Sequence, residues 1–191
     1  MRLKLLTLAA LTAWIMVAPA LADETVKLQG TIESSDGSAL VIHAKDGTSP
    51  KLKLDAKTLI VASEPSSLDR VKAGDFVASA AVTGDDGKLH STELRIFPEV
   101  LRGVGEGQRP MSEPGKTMTN AAVAQVVEAA QGRTLKVKFK GGESELIVGP
   151  DVPVTALVVS DAGVLKSGRS VFVTAAKGAD GALTATRVFA N

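Results

Sequence analysis

The chain has 191 residues, with 22 Lys and Arg against 21 Asp and Glu, 2 His and no Cys. The missing Cys excludes disulfide frameworks and thiolate chemistry, and the near-neutral charge disfavours a basic nucleic-acid binder. Tyr is absent and Trp14 is the one Trp, so no Trp or Tyr stacking platform for sugars or bases can be built.

The first residues read as an export signal. Arg2 and Lys4 precede an apolar run from Leu5 to Ala18, and Ala20-Leu21-Ala22 supplies a small-x-small pattern before Asp23. Removal of residues 1–22 leaves 20 basic and 21 acidic residues, a balance of −1, and five Phe. A periplasmic or secreted protein is expected. No later run is long enough to span a membrane as a helix.

The remainder reads as β-rich and duplicated. Val26, Leu28, Gly30 and Ile32 alternate with Lys27, Gln29, Thr31 and Glu33, the period of a strand with one buried face. Asp36-Gly37 marks a hairpin turn, Leu40 to Ala44 a second strand, and Lys51 to Leu54 a short third one. Ser66 to Ala73 reads as one or two helical turns that stop before Gly74. Phe76–Thr83 and Leu89–Ile96 are strands around Gly84-Asp85-Asp86-Gly87. The same order returns later: Val123 to Glu128, Leu135 to Lys140, Glu145 to Val148, a turn near Ala162 to Lys166, Val171 to Ala176, and Leu183 to Phe189. Asp36-Gly37 aligns with Gln131-Gly132 at an offset of 95; Gly74 with Gly168 and Asp86-Gly87 with Asp180-Gly181 at 94; Thr92 then matches Thr186.

The order β-β-β-α-β-β in each half predicts an all-β protein of two tandem, five-stranded OB-like barrels, each with one short helical turn. Residues 23–97 would form the first barrel, 98–120 a Gly/Pro-rich connecting strap, and 121–191 the second. The motif residues are Gly30, Ile32, Asp36, Gly37, Leu40, Ile42, Gly74, Asp75, Val77, Asp86, Gly87, Leu89, Leu94 and Ile96. In this pattern the chain resembles exported bacterial domains of unknown function with an OB-like barrel, often present as tandem copies. The second copy departs from it, with Gln131 for Asp36 and Arg169 for Asp75. The resemblance implies a periplasmic barrel pair and brings no catalytic residues.

Few side chains suggest chemistry. Gly103-Val104-Gly105-Glu106-Gly107 lacks the spacing of a dinucleotide loop, and Pro114-Gly115-Lys116-Thr117 has Pro110 where a phosphate loop needs Gly. Within the strap, Arg102, Glu106, Arg109 and Lys116 are the candidate ligand contacts. His43, His90, Asp85 and Asp86 are weak metal candidates, too few for a structural zinc site. Asp85-Asp86-Gly87 and Asp180-Gly181 read as turns rather than calcium loops. Lys136, Lys138 and Lys140 line one strand face, as Lys51 and Lys53 do earlier, most simply as a solvated face that resists edge aggregation. No acid, base or nucleophile constellation emerges, and no cofactor is implied. The expected function is non-enzymatic binding of a small ligand in the inter-barrel cleft beneath the strap. The alternatives are an envelope assembly module that binds a protein partner and, less favoured, a metal-handling accessory.

Overall fold

The computed structural model describes residues 24–191; the expected export signal lies outside the described residues. The first half contributes strands β1 (Glu24–Ser35), β2 (Ala39–Ala44), β3 (Lys51–Lys53), β4 (Leu59–Pro65), β5 (Phe76–Thr83) and β6 (Leu89–Phe97). A short strand β7 (Gly107–Pro110) lies in the strap. The second half contributes β8 (Lys116–Ala129), β9 (Gly132–Phe139), β10 (Gly142–Val148), β11 (Val154–Ser160), β12 (Ser170–Lys177) and β13 (Leu183–Ala190). Among the described residues, helical structure is confined to single 3-10 turns at Leu68–Arg70, Glu99–Leu101 and Ala162–Val164. The protein is therefore mainly β, as expected.

The strands close into rings, but not half by half. β8, β9 and β10 of the second half pair with β6 and β5 of the first, and β5 pairs back to β8. β1, β2 and β3 pair with β13 and β12, and β12 pairs back to β1. The expected division into residues 23–97 and 121–191 therefore does not describe the closed units: each ring takes three strands from one half and two from the other. β5 and β12 occupy corresponding places in the two halves, and it is β12, not β5, that pairs with β1.

Corresponding residues of the two halves make corresponding hydrogen bonds. The Ile32 N–H donates to the Arg169 carbonyl and receives the Gly168 N–H on its own carbonyl, both at 2.9 Å. Val123 does the same with Asp75 and Gly74, both at 2.8 Å. The offset for this strand is thus 91, against 94 or 95 elsewhere, because the β8–β9 hairpin is longer than the β1–β2 hairpin. Each half also carries a bulge at a matched Thr: Thr92 Oγ1 donates to the Ala80 carbonyl at 3.1 Å, and Thr186 Oγ1 to the Thr174 carbonyl at 3.0 Å. The bulge breaks the alternation expected from His90 to Ile96, so that Ser91 and Leu94 are the buried residues.

β4 and β11, which the sequence reading did not assign, are the hinge of this arrangement. They pair antiparallel with each other, with Ser63 opposite Leu157, while β4 continues parallel to β13 and β11 parallel to β6. The β4–β11 ribbon therefore joins the two rings on a pseudo-twofold axis. One ring core gathers Ile32, Leu40, Ile42, Leu52, Val173 and Val188; the other gathers Val77, Leu94, Val123, Leu135, Val137 and Leu146. A third, smaller cluster of Val61, Leu157 and Leu101 seals the seam, with Val104, Phe97 and Phe189 packed on it.

The strap is ordered where it meets this seam. Leu101 is fully buried, and β7 adds to the edge of β8 with Arg109 opposite Met118 and Gln108 opposite Thr119. Within the Gly/Pro-rich strap, Gln108 and Arg109 thus lie in a strand. Gly30 has a separate reason: a Cβ there would fall 2.1 Å from the His43 carbonyl oxygen, so the β1–β2 crossing admits no side chain.

Leu101→Ala should lower unfolding stability by about 2–5 kcal/mol, since it opens a cavity at the seam. Denaturant unfolding monitored by circular dichroism measures this; a loss below about 0.5 kcal/mol would mean that the strap is not packed against the ribbon.

Candidate functional site

A cleft of about 560 Å³ lies on the ribbon face, partly lined by the strap. Leu157 lines it on the pseudo-axis. Strands β5, β6 and β8 supply Ala78, Glu93, Arg95, Phe97, Met118 and Asn120 on one side. The matched strands β12, β13 and β1 supply Phe172, Thr174, Arg187, Phe189 and Lys27 on the other. The alternation of β1 and β12 explains the division: Leu28 and Val173 turn into the ring core, which sends Lys27, Phe172 and Thr174 outward into the cleft.

The two sides are not alike. On the first-half side the strap adds Val104, Gly105, Arg109 and Met111. Arg109 Nη1 donates to the Gly105 carbonyl at 2.9 Å, and Asn120 Nδ2 to the Val104 carbonyl at 3.0 Å. Glu93 stands 3.4 Å from Arg95 Nε. Among the described residues no strap covers the other side. Phe172 is 36% exposed there, and the Arg187 guanidinium lies over the Phe189 ring at 6.0 Å. The Arg187 Nε is buried without a hydrogen-bond acceptor among the described residues, and Asn120 Oδ1 is buried without a donor. A buried donor on a cation without an acceptor is costly unless a ligand supplies one.

Of the residues singled out from sequence, only Arg109 lines this cleft. Arg102 is occupied elsewhere: its Nε donates to Glu99 Oε1 at 2.6 Å and its Nη2 to the Gly74 carbonyl at 2.7 Å. The Arg102 hydrogen bond holds the Glu99 carboxyl below its ordinary range. Glu106 Oε1 accepts the Lys140 N–H at 2.9 Å, fastening the strap to the β9–β10 turn. Lys116 pairs with Glu113. The residues that sequence reasoning missed are Arg187, Arg95, Lys27 and the three Phe. Nothing in their local sequence marks them, because it is the exchange of strands that brings them together.

The remaining candidates sit apart. His43 Nδ1 is 3.4 Å from Glu33 Oε1 on the exposed face of β2. His90 Nε2 is 3.0 Å from Asp86 Oδ1 at the β5–β6 turn. Among the described residues no three His, Cys, Asp or Glu side chains come together as metal ligands. Asp86 is a turn residue: its Oδ1 accepts the Lys88 N–H at 3.0 Å, while Gly87 takes a φ of 73°. Asp180 Oδ1 accepts the Ala182 N–H at the matched turn. The lysine face is neutralised in part, since Lys136 and Lys138 lie directly opposite Glu145 and Glu143.

The chain matches no protein-family model, no curated protein and no solved structure.

The Lys88 N–H first, and His90 second, hold the Asp86 carboxyl below the ordinary aspartate range. Its contribution to the turn is therefore present above the unfolded-state value and lost as pH falls through the lower folded value. In a carboxyl chemical-shift titration Asp86 should titrate low, and should remain low in His90→Ala because the Lys88 N–H persists. A normal Asp86 titration in the wild type would contradict this turn geometry.

Proposed function

We propose that this is an exported, non-enzymatic binding protein whose two OB-like barrels, each assembled from both halves, hold an amphipathic anion in the cleft between them. The observation that carries the reading is the buried Arg187 Nε without an acceptor, set beside Phe172 and Phe189. Around it, Arg95, Arg109 and Lys27 outnumber the one acidic side chain of the lining, Glu93. Three Phe, two Met and Leu157 give the wall its apolar part, beside the neutral polar Asn120, Thr174 and Asn191. A carboxylate or sulfonate would meet Arg187, and its hydrocarbon part would cover the rings and thioethers. Binding on an OB-like barrel face is a habit of that architecture, and supports the reading only as an analogy of fold.

The test uses 8-anilinonaphthalene-1-sulfonate, an aromatic anion whose fluorescence rises in apolar surroundings. It should bind saturably, be displaced by decanoate, and resist displacement by decyltrimethylammonium. Arg187→Met should weaken binding about tenfold, the value of one charge-assisted hydrogen bond. Arg102→Ala, outside the cleft, should leave it unchanged. Equal affinity in Arg187→Met and wild type would overturn the proposal.

A further inference from the structure

The pseudo-twofold axis relates β8 to β1, and the two strands differ in what lies on their outer edges. The edge of β8 is covered in two stretches: β9 pairs from Ala122 onward, and β7 pairs with Thr117–Asn120. The edge of β1 is covered in one: β2 pairs from Gly30 onward, and the Lys45 N–H donates to the Gln29 carbonyl. Among the described residues no strand pairs with this edge of β1 between Glu24 and Leu28. Lys27 corresponds to Met118, since Lys27 faces Thr174 and Met118 faces the matched Ala80. Strand alternation sends the N–H and C=O of Thr25 and Lys27 to this edge, just as the Lys116 carbonyl, on the matched strand, faces the strap and accepts the Met111 N–H at 2.9 Å.

The charges on the two sides complete the comparison. The strap brings the cation Arg109 opposite Met118, on the side of the cleft that holds Glu93. The residue matched to Glu93 at an offset of 94 is Arg187, with its Nε unpaired, and Lys27 stands where Met118 stands. The open side thus repeats the strap's docking edge with Arg187 in the place of Glu93 and Lys27 in the place of Met118. We infer that the β1 edge at Thr25–Lys27 receives an extended peptide segment of a partner protein as an added antiparallel strand, with an acidic side chain opposite Lys27 directed toward Arg187. Backbone hydrogen bonds from Thr25 and Lys27 hold the segment, and an apolar neighbour on the same face covers Phe172. This rests on the reading of the cleft as an anion site, and names the kind of molecule that supplies the anion.

The probe is a capped synthetic peptide with the sequence of residues 105–111, the strap segment itself, carrying Arg109→Glu; the unaltered segment is the control. Both are titrated to millimolar concentration into ¹⁵N-labelled protein. The acidic peptide should shift the amides of Thr25, Lys27 and Thr174, and bind roughly fivefold or more tightly than the control, as one added ion pair allows. Thr25→Pro removes one outward donor without touching the β12 ladder or the cleft. It should abolish the peptide shifts and leave displacement of 8-anilinonaphthalene-1-sulfonate by decanoate intact. Absence of shifts at Thr25 and Lys27, or equal affinity of the two peptides, overturns the inference. If decanoate still binds in that case, the anion cleft stands and only the peptide is refuted; if decanoate fails as well, both readings fall.

Discussion

The pairing of β4 with β11 is the constraint from which the rest of the molecule follows. Each of these strands leaves its own half and runs parallel to the last strand of the opposite half, or beside it across the axis. Once Ser63 faces Leu157, β5 and β6 are delivered to β8, and β12 and β13 to β1. Ile60 then belongs to one ring core and Val154, its counterpart, to the other. Neither ring can close without strands from both halves, so the core of each is a long-range product of the whole chain. Such pairing carries a large loop-closure cost, offset here by burying the ribbon's Val61 and Leu157 under Leu101.

The strap turns a symmetric seam into an asymmetric site. A duplicated chain with a plain linker would present two equal half-clefts. Instead Leu101, Val104 and β7 settle on one side and satisfy Asn120 Nδ2, while among the described residues no segment covers Arg187, Lys27 and Phe172 on the other. The buried Arg187 Nε is the electrostatic residue of that asymmetry. Its neighbour Phe189 provides a π-face but no conventional hydrogen-bond acceptor, and among the described residues the Nε has no partner.

Much of the fold was legible because duplication repeats local physics. Thr92 and Thr186 match because each sits in a bulge and caps a carbonyl, and Asp36, Asp86 and Asp180 recur because each accepts a turn N–H. β4 was not legible: Ala62-Ser63-Glu64-Pro65 lacks alternation, and its pairing is set by the axis rather than by its own pattern. Strand exchange was hidden for a related reason: Val77 and Val171 are matched and both buried, and nothing in the local pattern of Phe76–Thr83 or Ser170–Lys177 says which of the two strands β1 joins. Of the four candidate contacts in the strap, Arg109 alone lines the cleft. Arg187 and Lys27 could not be read from sequence as its neighbours, because they lie on strands that a tandem arrangement would place in different barrels.

The exchange is tested most directly by cysteine cross-linking, which the Cys-free chain permits without background. Lys27 and Thr174 are directly opposed across β1 and β12, so Lys27→Cys with Thr174→Cys should oxidise to an intramolecular disulfide in a monomer. Thr174 is matched by Ala80 in the first half, where tandem barrels would place the partner of Lys27. Efficient cross-linking of Lys27→Cys with Ala80→Cys, and none with Thr174→Cys, would contradict the account.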